Sequence, residues 1–298
     1  MTSSTVGPWA RKKLKRLRDY LSAYAVIMAK QQRDGWLKGF HYIDAFAGPG
    51  SHVERPRAAP NVLQQLFAEV ARYSAQYPEQ RAFLAGSPRV ALDIQPEFSA
   101  CYFVEKSDDR VASLQELKKE FPKRRIEIRQ MDCNEFLRQV VNTKPSFWRR
   151  NRAVAFLDPF GMQVPWNTIE LLGQTQAIDI LVNFPVGMAI QRLLLRSGEF
   201  TKPQRRKLDE YFGSPDWFHE IYKKDRNLWG DEETVKVEKS GEALVKWYQK
   251  RLKGAFGYVS RASLIRNTRR FPLYYLILAS PKPIAAKIAN HILDSDED

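Results

Sequence analysis

Asp44, Glu105, Asp132, Asp158 and Asn183 each close a run of residues that reads as a strand, and together they are the chain's candidates for chemistry. A single acidic residue at a strand end is commonly a helix cap or a turn former. Five polar residues in succession mark a site, because open α/β sheets bind their ligands outside the carboxyl ends of the strands. Clustered carboxylates also suit magnesium-assisted hydrolysis. The first of the five lies in the stretch from Phe40 to Gly50, FHYIDAFAGPG, where Gly48 and Gly50 let a main chain pass close to a ligand. A two-glycine loop is also what an ordinary strand-to-helix turn looks like, so its meaning rests on the other four strand ends.

The elements that position these residues follow from hydrophobic spacing. Over residues 8–32, Leu14, Leu17, Leu21, Tyr24 and Met28 recur at intervals of three and four, which predicts an amphipathic helix with basic residues on its other face. Tyr42 and Ile43 end the first strand, and residues 51–85 read as an insertion before Ser87 and Pro88 start a helix, Ser87 as its cap. Further strands are predicted at 100–104, 125–129, 153–157 and 178–182, with helices between them that turn Leu114, Leu117, Phe136 and Leu137 inward. Residues 144–152 read as a basic, aromatic loop and 186–254 as a mostly helical excursion. Two strands at 255–265 and 271–279 then enclose a turn at Asn267, and Pro283 opens a last helix. Strands alternating with helices imply a parallel sheet with right-handed crossovers. The expectation is a single α/β domain over 1–298, with an N-terminal helix within 1–34 and a C-terminal antiparallel pair.

Composition bounds the partners. A chain of 298 residues with 44% hydrophobic and 12% aromatic residues has the makings of a packed core. It contains no apolar run of the roughly 18–20 residues that cross a bilayer and no apolar leader, which predicts a cytoplasmic location. Cys101 and Cys133 read as core thiols, and four scattered histidines give no zinc pattern. The net charge of +14 exceeds what solubility needs and points to a polyanion. Lys12, Lys13, Arg149, Arg150, Arg205, Arg206, Arg269 and Arg270 head the basic clusters, interleaved with Phe147, Trp148 and Phe271. Aromatic planes beside cations suit single-stranded or flipped bases, so DNA or RNA is the expected partner and no membrane is.

These elements resemble the class I S-adenosylmethionine-dependent methyltransferase fold, Rossmann-like, over most of residues 36–293. The run from Asp44 to Gly50 is similar to the D-x-F-A-G-x-G loop of nucleic-acid amino-methyltransferases. That likeness implies S-adenosylmethionine as cofactor, held by Asp44, Phe46, Gly48 and Gly50, with Glu105 on the ribose hydroxyls and Asp132 near the adenine amino group. Asp158, Pro159 and Phe160 resemble the catalytic [DN]-P-P-[YF] motif, which implies that Asp158 holds a base amino group and Phe160 stacks on the base. Here Phe160 replaces the second proline and Gly161 takes the aromatic position; Asp158 and Pro159 also suit a plain turn. More narrowly, 42–50, 86–88, 103–106 and 156–161 resemble the bacterial three-Cys-motif partner proteins (TcmP), which implies a partner with a three-cysteine, radical-SAM-like motif. Three readings follow: a nucleic-acid methyltransferase acting on a base amino group, a non-catalytic nucleic-acid adaptor in DNA repair or phage defence, and a metal-dependent nuclease.

Overall fold

The computed structural model describes residues 8–48, 86–159, 161–185, 190, 193–195, 197–226, 231–267 and 270–294. Gly50, Phe160, Arg269, the insertion at 51–85 and the acidic tail from Ser295 lie outside the described residues.

The amino half alternates helix and strand. Helix α1 (Pro8–Arg33) leads to β1 (Gly39–Asp44), α2 (Ser87–Leu92), β2 (Ala100–Glu105), α3 (Asp108–Glu120) and β3 (Ile126–Gln130). Then come α4 (Cys133–Val141), α5 (Pro145–Arg150), β4 (Asn151–Leu157), α6 (Trp166–Gln174) and β5 (Ile178–Phe184). The carboxyl half holds α7 (Lys202–Phe212), α8 (Trp217–Ile221), a hairpin of β6 (Tyr222–Arg226) and β7 (Glu232–Lys236), and α9 (Ser240–Phe256). It closes with β8 (Tyr258–Val259), β9 (Ser263–Arg266), β10 (Pro272–Ser280) and α10 (Pro283–Asp294).

Eight strands form one sheet in the order β3-β2-β1-β4-β5-β10-β8, with β9 also on β10. The first five are parallel; β10 runs antiparallel to β5 with Tyr275 opposite Phe184. The Rossmann-like α/β expectation holds, and reversal at β10 supplies the expected antiparallel end. The central strands β1, β4 and β5 are apolar and buried on both faces because helices cover both. On one face Leu17, Leu21 and Ala25 of α1 pack with Tyr42, Phe103 and Phe156; on the other, Phe136, Ile169, Leu172 and Tyr248 pack with Ile43, Ala155 and Ile180.

Several expectations are corrected. Within the mostly helical 186–254 stretch, β6 pairs antiparallel with β7, a hairpin that the sequence reading lacks. The strand expected from 255 begins only at Tyr258, since α9 continues until Phe256, four residues beyond Leu252, is buried. The loop expected at 144–152 contains the short helix α5. Gly86, not Ser87, is the N-cap of α2, and Ser87 lies inside the helix beside Pro88.

Candidate active site at the carboxyl edge of the sheet

Strand register sets the site. Asp44 of β1 lies opposite Phe156 of β4, and Leu157 of β4 opposite Val182 of β5. Side chains alternate between faces, so Tyr42 with Asp44, Phe156 with Asp158, and Leu181 with Asn183 all turn toward the face that α1 covers.

Lys13 meets them from α1. Its Nζ donates to Asp158 Oδ1 at 2.6 Å, and Asn183 Nδ2 donates to the same oxygen at 2.5 Å. The Lys13 and Asp158 side chains are only 3% and 5% exposed. The ammonium also lies 4.4 Å from the centroid of the Tyr274 ring and 5.7 Å from that of Phe156, where the π faces stabilise a cation. Burial lowers the Lys13 amine to about 8, with the neighbouring Asp158 charge pulling the other way. Lys13, expected among the nucleic-acid residues of a basic cluster, therefore does not lie on an exposed basic face. The signal was in the sequence: Lys13, Leu17 and Leu21 are four apart, which stacks them on one side of a helix.

Asp44 is fully buried. It accepts from the Tyr42 hydroxyl at 3.1 Å and from the Phe46 amide at 3.4 Å, so it shapes the turn after β1. Burial pushes its carboxyl up to about 7, against the hydrogen bonds that favour its charged form. Two residues past that amide, Gly48 is buried at φ +63, a backbone conformation that glycine adopts without strain.

The edge beyond β1 is different. Glu105 Oε1 accepts from the amides of Lys106 and Ser107 at 2.7 and 2.9 Å, while Oε2 lies 3.6 Å from an Arg110 guanidinium nitrogen. These partners hold the carboxylate at the β2 end, just where α3 begins. Asp132 caps α4 through the Asn134 amide at 2.9 Å, its other oxygen 3.9 Å from Lys106 Nζ, with its side chain 45% exposed. Pro159 follows Asp158 and is buried. Among the described residues, no group of three or more His, Cys, Asp or Glu side chains is placed to hold a metal ion. Cys101 and Cys133 are buried free thiols.

The basic residues scatter. Arg149 and Arg150 end α5, which feeds the amino end of β4; the Arg150 carbonyl accepts from the Lys38 amide at 2.6 Å. The length of seven strand residues, about 23 Å, separates them from Asp158. Arg205 lies over the rings of Trp217 and Phe218 at 4.7 and 4.4 Å and pairs with Asp209, while Arg206 is exposed. Half-buried Lys12 lies next to the site on α1. Arg270, exposed at φ +61, sits in the turn before β10, at the carboxyl end of β5, beside a Phe271 that is 63% exposed.

Asn183, expected at its strand end, and Tyr274, which the sequence reading did not single out, complete the site. Asn183 Oδ1 is buried and accepts no hydrogen bond from the described residues, although its amide nitrogen is committed to Asp158.

No family model matches this chain, and neither does any curated protein. Among solved structures it is similar to the Legionella pneumophila str. Philadelphia 1 protein LPL1258, of family DUF519: 11% identity over 94% of this chain and 91% of that one, TM-score 0.47. It is also similar to EvdMO1, with 10% identity over 87% of this chain and 40% of that one, TM-score 0.33. At these values neither neighbour informs function; the architecture rests on the chain's own strand order.

Proposed function

We propose that this protein is an S-adenosylmethionine-dependent methyltransferase that acts on a nucleic acid. The observation that supports this reading most is the convergence at one sheet edge of the buried Gly48 turn, the Glu105 carboxylate and the Asp132 carboxylate, at the ends of three adjacent parallel strands. The residues fit such a cofactor. Gly48 lets the backbone approach the ligand, Glu105 is oriented by two amides for a diol, and Asp132 keeps a half-exposed oxygen for an amino group. Asp44 serves by holding the Phe46 amide in place rather than by contact.

When bound, S-adenosylmethionine supplies an electrophilic methyl group, and the protein's work is to orient the acceptor against it. An acceptor group directed to Asp158 would share Oδ1 with Lys13 and Asn183. Net charge of +14, with Lys12, Arg270 and Phe271 on the site's side of the sheet, supports a nucleic acid as the bearer of the acceptor. The likeness to the three-Cys-motif partner proteins adds a three-cysteine, radical-SAM-like partner to this reading.

Isothermal titration tests the cofactor half: purified protein binds S-adenosylmethionine with one-to-one stoichiometry, and absence of heat at millimolar ligand would defeat the reading. Methyl transfer from labelled cofactor to mixed oligonucleotides tests the second half. The buried Lys13–Asp158 pair favours a second reading, a non-catalytic nucleic-acid adaptor, which binds oligonucleotides in a salt-dependent way and transfers nothing.

A further inference from the structure

We infer that the acceptor at this site is a hydroxyl group, the ribose 2′-hydroxyl of an RNA strand, with Asn183 Oδ1 receiving its hydrogen bond and Lys13 Nζ taking its proton. The inference rests on the methyltransferase reading above and names its substrate class.

Three observations carry it. The first is the fixed ammonium. Amine methylation builds positive charge on the acceptor nitrogen, and a lone carboxylate would stabilise that charge. Lys13 Nζ, 2.6 Å from Asp158 Oδ1, cancels most of that attraction. Leu17, Leu21 and Ala25, on the helix that carries Lys13, are fully buried and anchor α1 on the sheet. Lys13 is a permanent member of the site, and the site favours an acceptor that ends the reaction without added charge.

The second observation is the orphaned acceptor. Asn183 is 5% exposed, its Nδ2 is spent on Asp158, and its Oδ1 is a buried oxygen to which no described residue donates. A buried carbonyl oxygen beside the reacting carboxylate selects a ligand that brings a donor, and a ligand lacking one leaves it unpaired at the usual cost. A hydroxyl brings one donor and, once deprotonated, an oxygen nucleophile.

The third is a base of suitable strength. Among the described residues, Lys13 Nζ has beside it Asp158 of β4, which accepts its hydrogen bond, the charge of Asp44 of β1, and the Tyr274 ring of β10. In that setting burial brings the amine down to about 8, so a useful fraction is neutral in mildly alkaline solution. The step balances. The hydroxyl oxygen forms a bond to the methyl carbon as the carbon–sulfur bond breaks, the sulfonium becomes a neutral thioether, and the hydroxyl proton passes to neutral Lys13, which later releases it to solvent. Within a nucleic acid strand the 2′-hydroxyl is the group of this kind, and DNA lacks it.

The test uses the full-length protein and one single-stranded sequence made as RNA, as 2′-deoxy and as 2′-fluoro oligonucleotides. In gel-shift titrations without cofactor, RNA is expected to bind about tenfold more tightly than either analogue, and Asn183→Ala to abolish the preference. With labelled S-adenosylmethionine, nuclease digestion and mass spectrometry should yield a 2′-O-methylated nucleoside, with a rate that rises through pH 8. Lys13→Arg, which keeps the cation but remains protonated, should lose transfer by a hundredfold or more while retaining cofactor affinity and melting temperature. Base-methylated product on DNA would overturn the inference and leave the methyltransferase reading standing. Cofactor binding without transfer to RNA, or equal affinity for all three oligonucleotides, also overturns it; absence of cofactor binding overturns both.

Discussion

The two halves of the carboxyl edge are built from the same kind of residue and do opposite things with it. At the ends of β2 and β3, Glu105 accepts from the Lys106 and Ser107 amides just before the next helix, and Asp132 caps its helix through the Asn134 amide with its side chain half exposed. At the ends of β1 and β4, Asp44 and Asp158 are buried under α1 and lean on Lys13, Tyr42 and Asn183 instead. Carboxylates held by backbone amides at a strand end are satisfied without a buried partner. Buried ones need partners or a shifted proton, and they turn an otherwise neutral interior into a reactive one. Depth beneath the covering helix, more than residue type, separates the two halves, and under the proposed function it divides a cofactor-holding edge from a proton-handling one.

The largest break in this contrast comes from cutting the buried pair on one side. Lys13→Met leaves Asp158 buried without its cation, and the expected loss is about 3–5 kcal/mol by chemical denaturation. Adding Asp158→Asn should restore most of it; a double variant as unstable as the single would mean that Lys13 matters through packing alone. The second effect is a proton effect. Asp44 titrates near 3.8 when unfolded and about 7 when folded, so its contribution to stability is present in full below pH 4 and is lost as pH rises through 7. Asp44→Asn should therefore gain on the wild type by roughly 4 kcal/mol between pH 4 and pH 7. A difference that stays flat with pH would contradict the buried environment assigned to Asp44.

Smaller effects belong to the exposed half and the remote surface. Asp132→Ala removes the α4 cap and should cost about 1 kcal/mol, a value that separates it clearly from the buried acids. Reversing Arg149 and Arg150 to Glu, at the far end of β4, should change RNA affinity less than reversing Arg270 beside the site, as read by filter binding at fixed salt. The opposite ranking would place the nucleic acid at the amino end of the sheet.

Much of this was legible in the chain. Alternation and apolar runs marked the five parallel strands within a residue or two, and the polar strand ends followed, because both depend on burial that hydrophobicity reports directly. The hairpin of β6 and β7 was not legible: Tyr222–Arg226 and Glu232–Lys236 are mostly charged and exposed, so no alternation betrays them. The depth of Lys13 was misread for another reason. It sits in a run of basic residues whose summed charge spoke louder than its four-residue spacing from Leu17 and Leu21, and only α1 lying across β1, β4 and β10 shows where that face goes. The scatter of Arg149 and Arg150 away from the site needed the third dimension too, since sequence proximity to β4 says nothing about which end of the strand a loop serves.

Calorimetric titration of S-adenosylhomocysteine into paired variants tests the division of the edge most directly. Glu105→Gln should weaken binding tenfold or more, and Asp158→Asn should leave it within about twofold of wild type. Equal losses in both variants, or a loss confined to Asp158→Asn, would contradict it.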